Sequence, residues 1–172
     1  MDVMWSPWRS KYIQTFKDEE NKEKEDICIF CRAAENPNRD NELLVVHRNT
    51  RCFVIQNKFP YNNGHLLIAP YDHVGDLNDL DDGVLLEMMK TVKDAKAILQ
   101  KVYQPHGFNI GINIGRVAGA GVPGHIHIHI VPRWNGDSSF MPVLADIKVV
   151  SVSLEESQRM LSEEFRNIKD YK

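Results

Sequence analysis

The chain has 172 residues, of which 42% are hydrophobic and 26% charged, and its formal net charge is −3. These values are typical of a globular domain that buries a core, and they give no reason to expect a general nucleic-acid or membrane-surface binder. No apolar run approaches the roughly 18 residues of a membrane-spanning helix, and the first residues lack the basic and apolar regions of a signal peptide. Because two of the three cysteines have a Cys-x-x-Cys spacing, we expect a cytoplasmic protein rather than a disulfide-bonded one.

Residues 1–27 are predicted to form an N-terminal arm followed by a charged linker. The arm contains Trp5, Trp8 and Tyr12, so we expect it to dock on its own domain or on a partner subunit. Residues 17–26 read KDEENKEKED, a run without an apolar face, which is typical of a solvated linker.

From Cys28 onwards the pattern predicts short strands and one long helix. Apolar residues at helical spacing mark that helix, which Asp81 or Asp82 can cap. The predicted order is a short helix at 28–34, strands at 43–47, 51–56 and 65–69, the long helix at 81–103, strands at 108–114 and 125–131, and a C-terminal helix at 154–171. Because no regular βαβ repeat is present, the sequence predicts an α+β fold with a mainly antiparallel five-stranded sheet.

The segment from His125 to Val131 alternates imidazole and branched aliphatic side chains without a break. Strand side chains point alternately to the two faces of a sheet, so His125, His127 and His129 share one face at spacings of about 7 Å. Buried imidazoles need polar partners, and three in register are unusual in a core. Three interpretations stay open: satisfied core histidines, a His-x-His metal site, or a nucleophilic histidine with supporting imidazoles.

The segment from Gly119 to Gly124 has the spelling GxGxxG, which opens a helix in dinucleotide-binding proteins. Here a proline and a β-branched strand follow, so we reject that interpretation. Glycines still allow a backbone to aim several N–H groups at an anion. The segment is therefore either a phosphate cradle beside the histidines or a plain flexible turn.

Cys28 and Cys31 offer two thiolates at a zinc-knuckle spacing, although two small buried cysteines would give the same pattern. Cys52 lies in a predicted strand and is expected in the core. We expect neither His47, at a strand end, nor His106, in a turn, to act as a ligand.

The histidine segment resembles the signature of the histidine triad family, His-φ-His-φ-His-φ-φ with φ apolar. Residues 57–70 are similar to that family's first nucleotide-binding strand and loop, and residues 109–134 to its catalytic hairpin. The fragments WSPWR, PYNNGH and PRWNGD resemble the diadenosine tetraphosphate phosphorylase branch. The resemblance implies a HIT-like fold, with a HIT domain over residues 28–142 and a C-terminal extension, expected to be helical, over residues 143–172.

The resemblance also implies roles for single residues. His127 would attack the α-phosphorus and form a nucleotidyl-histidine, which water or inorganic phosphate would then cleave. His129 and His65 would bind phosphate oxygens, with Asn113 supporting that end. Asn57 matches a position that contacts the ribose.

For the glycine-rich turn, the resemblance implies that main-chain N–H groups of Gly119, Gly121 and Gly124 hold the phosphate and stabilise its charge in the transition state. Many members have Ser or Thr where Gly121 stands, and they use it to bind the phosphate or the scissile atom.

A structural zinc site is a further implication of the resemblance, because His73 matches a position that joins the first triad histidine in zinc-carrying members. The expected ligands are two thiolates and two imidazoles, from Cys28, Cys31, His73 and His125. No organic cofactor is expected.

Taken together, these features favour a nucleotidyl hydrolase or transferase. The expected reaction is cleavage of a phosphoanhydride in a dinucleoside polyphosphate, such as diadenosine tetraphosphate, by hydrolysis or phosphorolysis. The alternatives are an adenosine phosphoramidate hydrolase and a non-catalytic nucleotide-sensing interaction module. The expected partners are an adenine nucleotide or dinucleoside polyphosphate and a second copy of the chain, with no nucleic acid and no membrane.

Overall fold

The computed structural model describes residues 28–137 and 151–168, so the predicted arm over residues 1–27 lies outside the described residues. The described residues belong to one compact unit that contains three helices and five strands. In chain order these are α1 (Ile29–Glu35), β1 (Val45–Arg48), β2 (Cys52–Gln56), β3 (Leu66–Pro70), α2 (Asp82–Tyr103), β4 (Gly107–Ile112), β5 (Ile128–Arg133) and α3 (Leu154–Arg166).

The five strands form one sheet in the order β1-β2-β3-β5-β4, and every neighbouring pair is antiparallel. This architecture confirms the predicted α+β fold. The strands β4 and β5 form the predicted hairpin, in which Gly111 stands opposite His129 and Ile110 opposite Ile130. Because directly opposed residues share a face, His129 lies on the same face as Gly111.

Helices α2 and α3 each follow a residue whose side chain caps them. The carboxylate of Asp81 accepts a hydrogen bond from the N–H of Gly83, and the hydroxyl of Ser153 accepts one from the N–H of Glu156. Such caps satisfy donors that have no partner inside the helix. α2 ends at Tyr103, and the residue that caps this end, Gln104, has a left-handed backbone conformation.

The two faces of the sheet are covered differently. Helices α2 and α3 pack on one face around an aliphatic core to which β3 and β5 contribute Leu66, Ile128 and Ile130. The opposite face carries α1, whose Phe30 and Ala33 pack against residues of β1, β2 and β3. The histidines of the 125–129 segment lie on this second face, apart from the aliphatic core.

The loop between β2 and β3 is held against α2 by a glycine. Gly64 has a backbone φ of +72°, and a Cβ atom built there would lie 2.8 Å from side-chain atoms of Leu99 and Tyr103. Any other residue would be strained at this φ and would collide with α2. Gly64 therefore sets how closely the loop that leads to His65 approaches the helix.

At the outer edge of the sheet, α3 covers β1. The Gln158 side chain donates to the carbonyl oxygen of Val45 at 3.0 Å, and the N–H of Val45 donates to the carbonyl of Asp40. Phe165 of the same helix stacks on the ring of His47, with 4.8 Å between the ring centroids. Within the described residues, no helix is both long and apolar enough to cross a bilayer.

The docking of α3 is testable through Leu161, which is fully buried in the aliphatic core. Leu161→Ala should lower the free energy of unfolding by about 2–5 kcal/mol, because it removes buried methyl groups and leaves a cavity. Denaturant unfolding followed by circular dichroism measures the change. The exposed Glu163 on the same helix supplies the control, Glu163→Ala, which should change stability by less than about 0.5 kcal/mol. Equal stabilities of the two variants would contradict the packing of α3 described here.

Candidate active site

The predicted histidine strand is extended, but its ladder begins three residues later than predicted, at Ile128. Continued in the same register, the ladder would pair Ala69 with His127 and Pro70 with Ile126, but Pro70 has no N–H to donate. The chain before β5 bonds to the loop after β3 instead, with Ile126 N–H donating to the carbonyl of Val74 at 2.6 Å. His125 and His127 are buried nonetheless, so the expected alternation of side chains persists.

A backbone carbonyl fixes the position of the ring proton of His127. Its Nδ1 lies 2.8 Å from the carbonyl oxygen of His125. A carbonyl only accepts, so Nδ1 carries the ring proton and Nε2 presents a lone pair. The ring of Phe30 lies 4.7 Å away between centroids, and burial lowers the pKa of His127. The imidazole is therefore neutral near pH 7, as a nitrogen nucleophile must be.

His129 lies next to His127, with 4.8 Å between the ring centroids, and it contacts His65 on its other side. Its Nδ1 is 3.0 Å from Nε2 of His65. Burial first, and then the neighbouring His127, lower the pKa of His129 to about 4. The remaining nitrogen, Nε2, is buried and has no hydrogen-bond partner among the described residues.

A buried ring nitrogen without a partner costs free energy unless a ligand satisfies it. Gly111 lies opposite His129 on the same face, and a Cβ atom built on Gly111 would meet nothing within 4 Å. The space beside Gly111, on the same face of the sheet as His129, is therefore open.

The loop 57–65 contributes Asn57, Tyr61 and His65 to the same place. Asn57 Nδ2 lies 3.2 Å from His65 Nδ1, and the Phe59 N–H donates to Asn57 Oδ1 at 2.9 Å. The ring of Tyr61 lies 4.7 Å from that of His65 and is nearly parallel to that of His129. The amide that the resemblance assigned to the ribose is thus engaged inside the loop at both its oxygen and its nitrogen.

The glycine-rich turn between β4 and β5 carries the predicted phosphate-binding glycines, and they do not all lie at the same site. Asn113 Nδ2 donates to the carbonyl of Gly119 at 3.4 Å, while the N–H of Gly119 is used by the turn itself, which bonds it to Arg116. Gly121 is exposed. A Cβ atom on Gly124 would lie 3.2 Å from Nε2 of His73, so Gly124 belongs to the neighbourhood of the cysteine–histidine cluster.

The four predicted zinc ligands form one cluster. Cys28 Sγ and Cys31 Sγ lie 3.4 and 3.6 Å from His125 Nδ1, and Cys31 Sγ lies 3.1 Å from His73 Nδ1. All four ligand atoms are within 4.8 Å of one another. A tetrahedral zinc with bonds of about 2.0–2.3 Å needs ligand atoms separated by about 3.3–3.8 Å, so the residues fit the ion.

The protonation of the cluster is also suited to a cation. His125 Nε2 lies 3.0 Å from the carbonyl oxygen of Pro70, to which it donates, so Nδ1 presents its lone pair to the cysteines. Burial, and then the neighbouring Cys28, raise the pKa of the Cys31 thiol to about 11. The Cys31 thiol therefore keeps its proton at neutral pH unless a cation takes its place.

Four contributions to the site were not predicted from the sequence. Phe30 packs against His125 and His127, and its place between Cys28 and Cys31 was the available signal. Tyr61 lies in the loop that resembles the family's nucleotide-binding segment, but the resemblance implied no role for it. The carbonyl oxygens of His125 and Pro70 left no signal, because every residue carries such a group.

The fourth unpredicted contribution is a clamp at the end of β5. The carboxylate of Asp137 accepts from Arg133 and from Asn62 Nδ2, the latter at 2.8 Å. The carbonyl of Asn62 in turn accepts from the N–H of His65. The Arg133 guanidinium holds the pKa of Asp137 far below its usual range, so the clamp stays charged at neutral pH. This clamp fixes the loop that carries His65 to the strand that carries His129.

Comparisons with known proteins identify the family to which the sequence is similar. The profile of the HIT domain matches residues 38–136. An AP-4-A phosphorylase of Mycobacterium tuberculosis is 35% identical over 164 residues, which cover 94% of this chain and 83% of that protein. The asymmetrical bis(5'-nucleosyl)-tetraphosphatase of Schizosaccharomyces pombe is 35% identical over 95 residues, 55% of this chain and 52% of that protein.

Solved structures show the same fold. A zinc-bound histidine triad family protein from Mycobacterium smegmatis superposes with a TM-score of 0.68 at 26% identity, covering 85% of this chain and 98% of that one. The family profile spans more than half of the chain, and the mycobacterial relative spans nearly all of it. The chain therefore belongs to the HIT domain family.

Proposed function

We propose that this protein cleaves a phosphoanhydride bond of a dinucleoside polyphosphate, such as diadenosine tetraphosphate, through a nucleotidyl-histidine intermediate on His127. The observation that carries the proposal is the bare Nε2 of His127, whose proton is held on the opposite nitrogen by the His125 carbonyl. The similarity to a phosphorylase and a tetraphosphatase of dinucleoside polyphosphates supports this substrate class. The same chemistry serves hydrolysis and phosphorolysis, depending on what attacks the intermediate.

In the first step, the lone pair of His127 Nε2 forms a bond to the α-phosphorus, and the bond from phosphorus to the bridging oxygen breaks. The leaving nucleoside polyphosphate keeps the electron pair of that bond. The imidazole then carries a positive charge, which its Nδ1–H shares with the carbonyl oxygen of His125. This hydrogen bond strengthens as the charge develops, so it stabilises the transition state more than the ground state.

The phosphoryl oxygens need donors while the phosphorus is five-coordinate. His129 supplies one, because its Nε2 is buried, unpartnered among the described residues and beside His127. Backbone N–H groups of Gly121 and Gly124 are proposed as further donors, with His65 and Asn113 behind them. In the second step, water or inorganic phosphate attacks the phosphorus, and the bond to His127 breaks with return of its electron pair to Nε2.

The test of this function is incubation of the purified protein with diadenosine tetraphosphate, with and without inorganic phosphate. Attack at the α-phosphorus releases ATP, and the captured adenylyl group then leaves as AMP with water or as ADP with phosphate. The products are separated by anion-exchange chromatography. ADP that forms only when phosphate is present identifies a phosphorylase. AMP that forms whether or not phosphate is present identifies a hydrolase. Absence of all three products in both reactions contradicts the proposed substrate class.

The matched variant for this test is His127→Ala, which should lower turnover by on the order of 10⁴-fold or more, because the nucleophile is lost. Nucleotide binding, measured by calorimetry, should remain detectable. His106→Ala is the control, because this exposed imidazole lies in the turn before β4 and accepts a hydrogen bond from Asn135 N–H outside the triad. Turnover by His127→Ala comparable to that of His106→Ala would exclude the covalent step.

We also propose that Cys28, Cys31, His73 and His125 bind one structural zinc ion. Zinc would supply no chemistry to the reaction; it would cross-link the start of α1 to the loops that follow β3 and precede β5. The mutual distances of the four ligand atoms and the hydrogen bond behind His125 support this assignment. So does the zinc-bound structural relative.

Metal content and thermal stability test the zinc proposal. Protein purified without chelator should contain about one zinc per chain by elemental analysis, and a strong chelator should lower its melting temperature, because the ion stabilises the folded state that binds it. Cys31→Ser should lose most of the zinc. Cys52→Ser should keep it, since Cys52 lies in the aliphatic core on the other face. Equal zinc contents of the two variants would contradict the proposed ligand set.

We propose further that the protein is a cytoplasmic homodimer. β4 pairs with β5 on one side, and no other described strand lies on its outer side. Ile110 and Ile114, on and just after β4, are 46% and 40% exposed. An open edge with exposed aliphatic side chains favours pairing with a second copy. The free thiols of the cysteine pair suit a reducing compartment.

The dimer proposal predicts a molar mass of two chains in solution, measured by light scattering after size exclusion. Ile110→Asp should shift the mass towards one chain, because it places a carboxylate on the paired edge. Ile29→Asp, which changes an isoleucine of similar exposure on α1, should leave the mass unchanged. A wild-type mass of one chain at micromolar concentration would refute the dimer.

A further inference from the structure

We propose that Asn57 is a positioning residue that keeps the ring proton of His65 on Nε2 and, through His65, keeps the ring proton of His129 on the nitrogen that faces the phosphate. The catalytic value of this arrangement rests on the proposed function. The proton positions themselves do not, and they can be measured without any substrate.

The first link is the orientation of the Asn57 amide. The N–H of Phe59 donates to Asn57 Oδ1 at 2.9 Å, and a backbone N–H can act only as a donor. The oxygen of the amide is therefore the atom next to Phe59, and Nδ2 is the atom that faces His65. An isolated side-chain amide could point either way; this one is fixed by the main chain.

The second link is the acceptor at His65 Nδ1. Asn57 Nδ2 lies 3.2 Å from it, and the N–H of Tyr61 lies 3.1 Å from it. Two donors directed at one ring nitrogen leave no place there for a proton. His65 is fully buried, and its single proton must therefore sit on Nε2.

The third link connects His65 to the triad. His65 Nε2 is 3.0 Å from His129 Nδ1, so it donates and His129 Nδ1 accepts. Burial keeps His129 neutral at physiological pH, and its one remaining proton sits on Nε2. That nitrogen is the buried atom for which the described residues offer no partner, and its ring lies next to His127. A chain of directed hydrogen bonds thus begins at the backbone of Phe59 and ends as a donor beside the nucleophile.

This chain assigns Asn57 a function that differs from the ribose contact implied by the resemblance. One donor of its Nδ2 and one lone pair of its Oδ1 are used within the loop, and these two bonds carry the positioning role. If His65 carried its proton on Nδ1, His129 would donate back to His65 and would present a lone pair to the phosphate. Two lone pairs, from His127 and His129, would then face an anion, and the donor that the pentacoordinate phosphorus needs would be missing.

The variant that tests the first links is Asn57→Asp, which keeps the shape of the side chain and replaces its donor by an acceptor. In long-range ¹H–¹⁵N spectra of histidine-labelled protein, wild type should show Nε2–H tautomers for His65 and His129. In Asn57→Asp, Nδ1 of His65 should become protonated. Asn63→Asp is the control, because it makes the same charge change in the same loop, and its amide contacts Ser151 outside the chain of bonds.

The third link is tested at His65. His65→Gln keeps an N–H donor near His129 Nδ1, and His65→Leu removes it at similar volume. The Gln variant should keep kcat within about 10-fold of wild type, whereas the Leu variant should lose on the order of 10²-fold, the usual cost of one preorganised donor. The signals that are missing from the spectra of the two His65 variants also identify the resonances of His65.

A wild-type His129 protonated on Nδ1 would overturn the proposal, and so would an unchanged His65 in Asn57→Asp. Equal kcat values for His65→Gln and His65→Leu would overturn its catalytic part. An inactive wild type that shows the expected tautomers would instead contradict the proposed function and leave the positioning role of Asn57 supported by the spectra.

Discussion

A neutral imidazole carries one proton on two nitrogens, and this constraint governs the whole site. Each hydrogen bond that the fold gives to one nitrogen decides what the other nitrogen can do. The carbonyl of Pro70 takes the proton of His125 and leaves a lone pair towards the cysteines. The carbonyl of His125 holds the proton of His127 on Nδ1 and leaves a lone pair on Nε2. Adjacent triad residues with the same chemistry are thus given different tasks by main-chain oxygens.

The fold makes this division possible by using the two faces of its sheet differently. One face has an aliphatic core under α2 and α3, and the alternation in β5 supplies its isoleucines to that core. The other face is thinly covered by α1, so imidazoles there are buried enough to stay neutral and still border open space at Gly111. The Asp137 clamp then ties the loop of His65 to β5, which keeps the distance between His65 and His129 short. Stability and reactivity are therefore separated by the sheet.

Much of the fold could be predicted from the sequence, because strand alternation and helical spacing are local patterns. The long helix begins one residue after its predicted start, and its cap is Asp81. The predicted start of β5 was wrong by three residues. The actual start depends on Pro70, which is distant in sequence and cannot donate to the ladder. The grouping of the cysteines with His73 and His125 came from the resemblance, and the structure brings all four together. The location of each proton could not be predicted, because it depends on backbone oxygens and on the direction in which the Asn57 amide points.

The contact between Gln158 and the edge of the sheet has a consequence for assembly. An antiparallel sheet has two ends at which further strands can add, and a chain that leaves both open can grow without limit into fibres. Here α3 occupies the β1 end, since Gln158 takes the carbonyl of Val45 and the N–H of Val45 already bonds to Asp40. Among the described strands, β4 is the edge left open, and two copies of the proposed dimer joined there by a two-fold axis would present only blocked ends. The contact of Gln158 with β1 would thus make the pairing of the proposed dimer self-terminating.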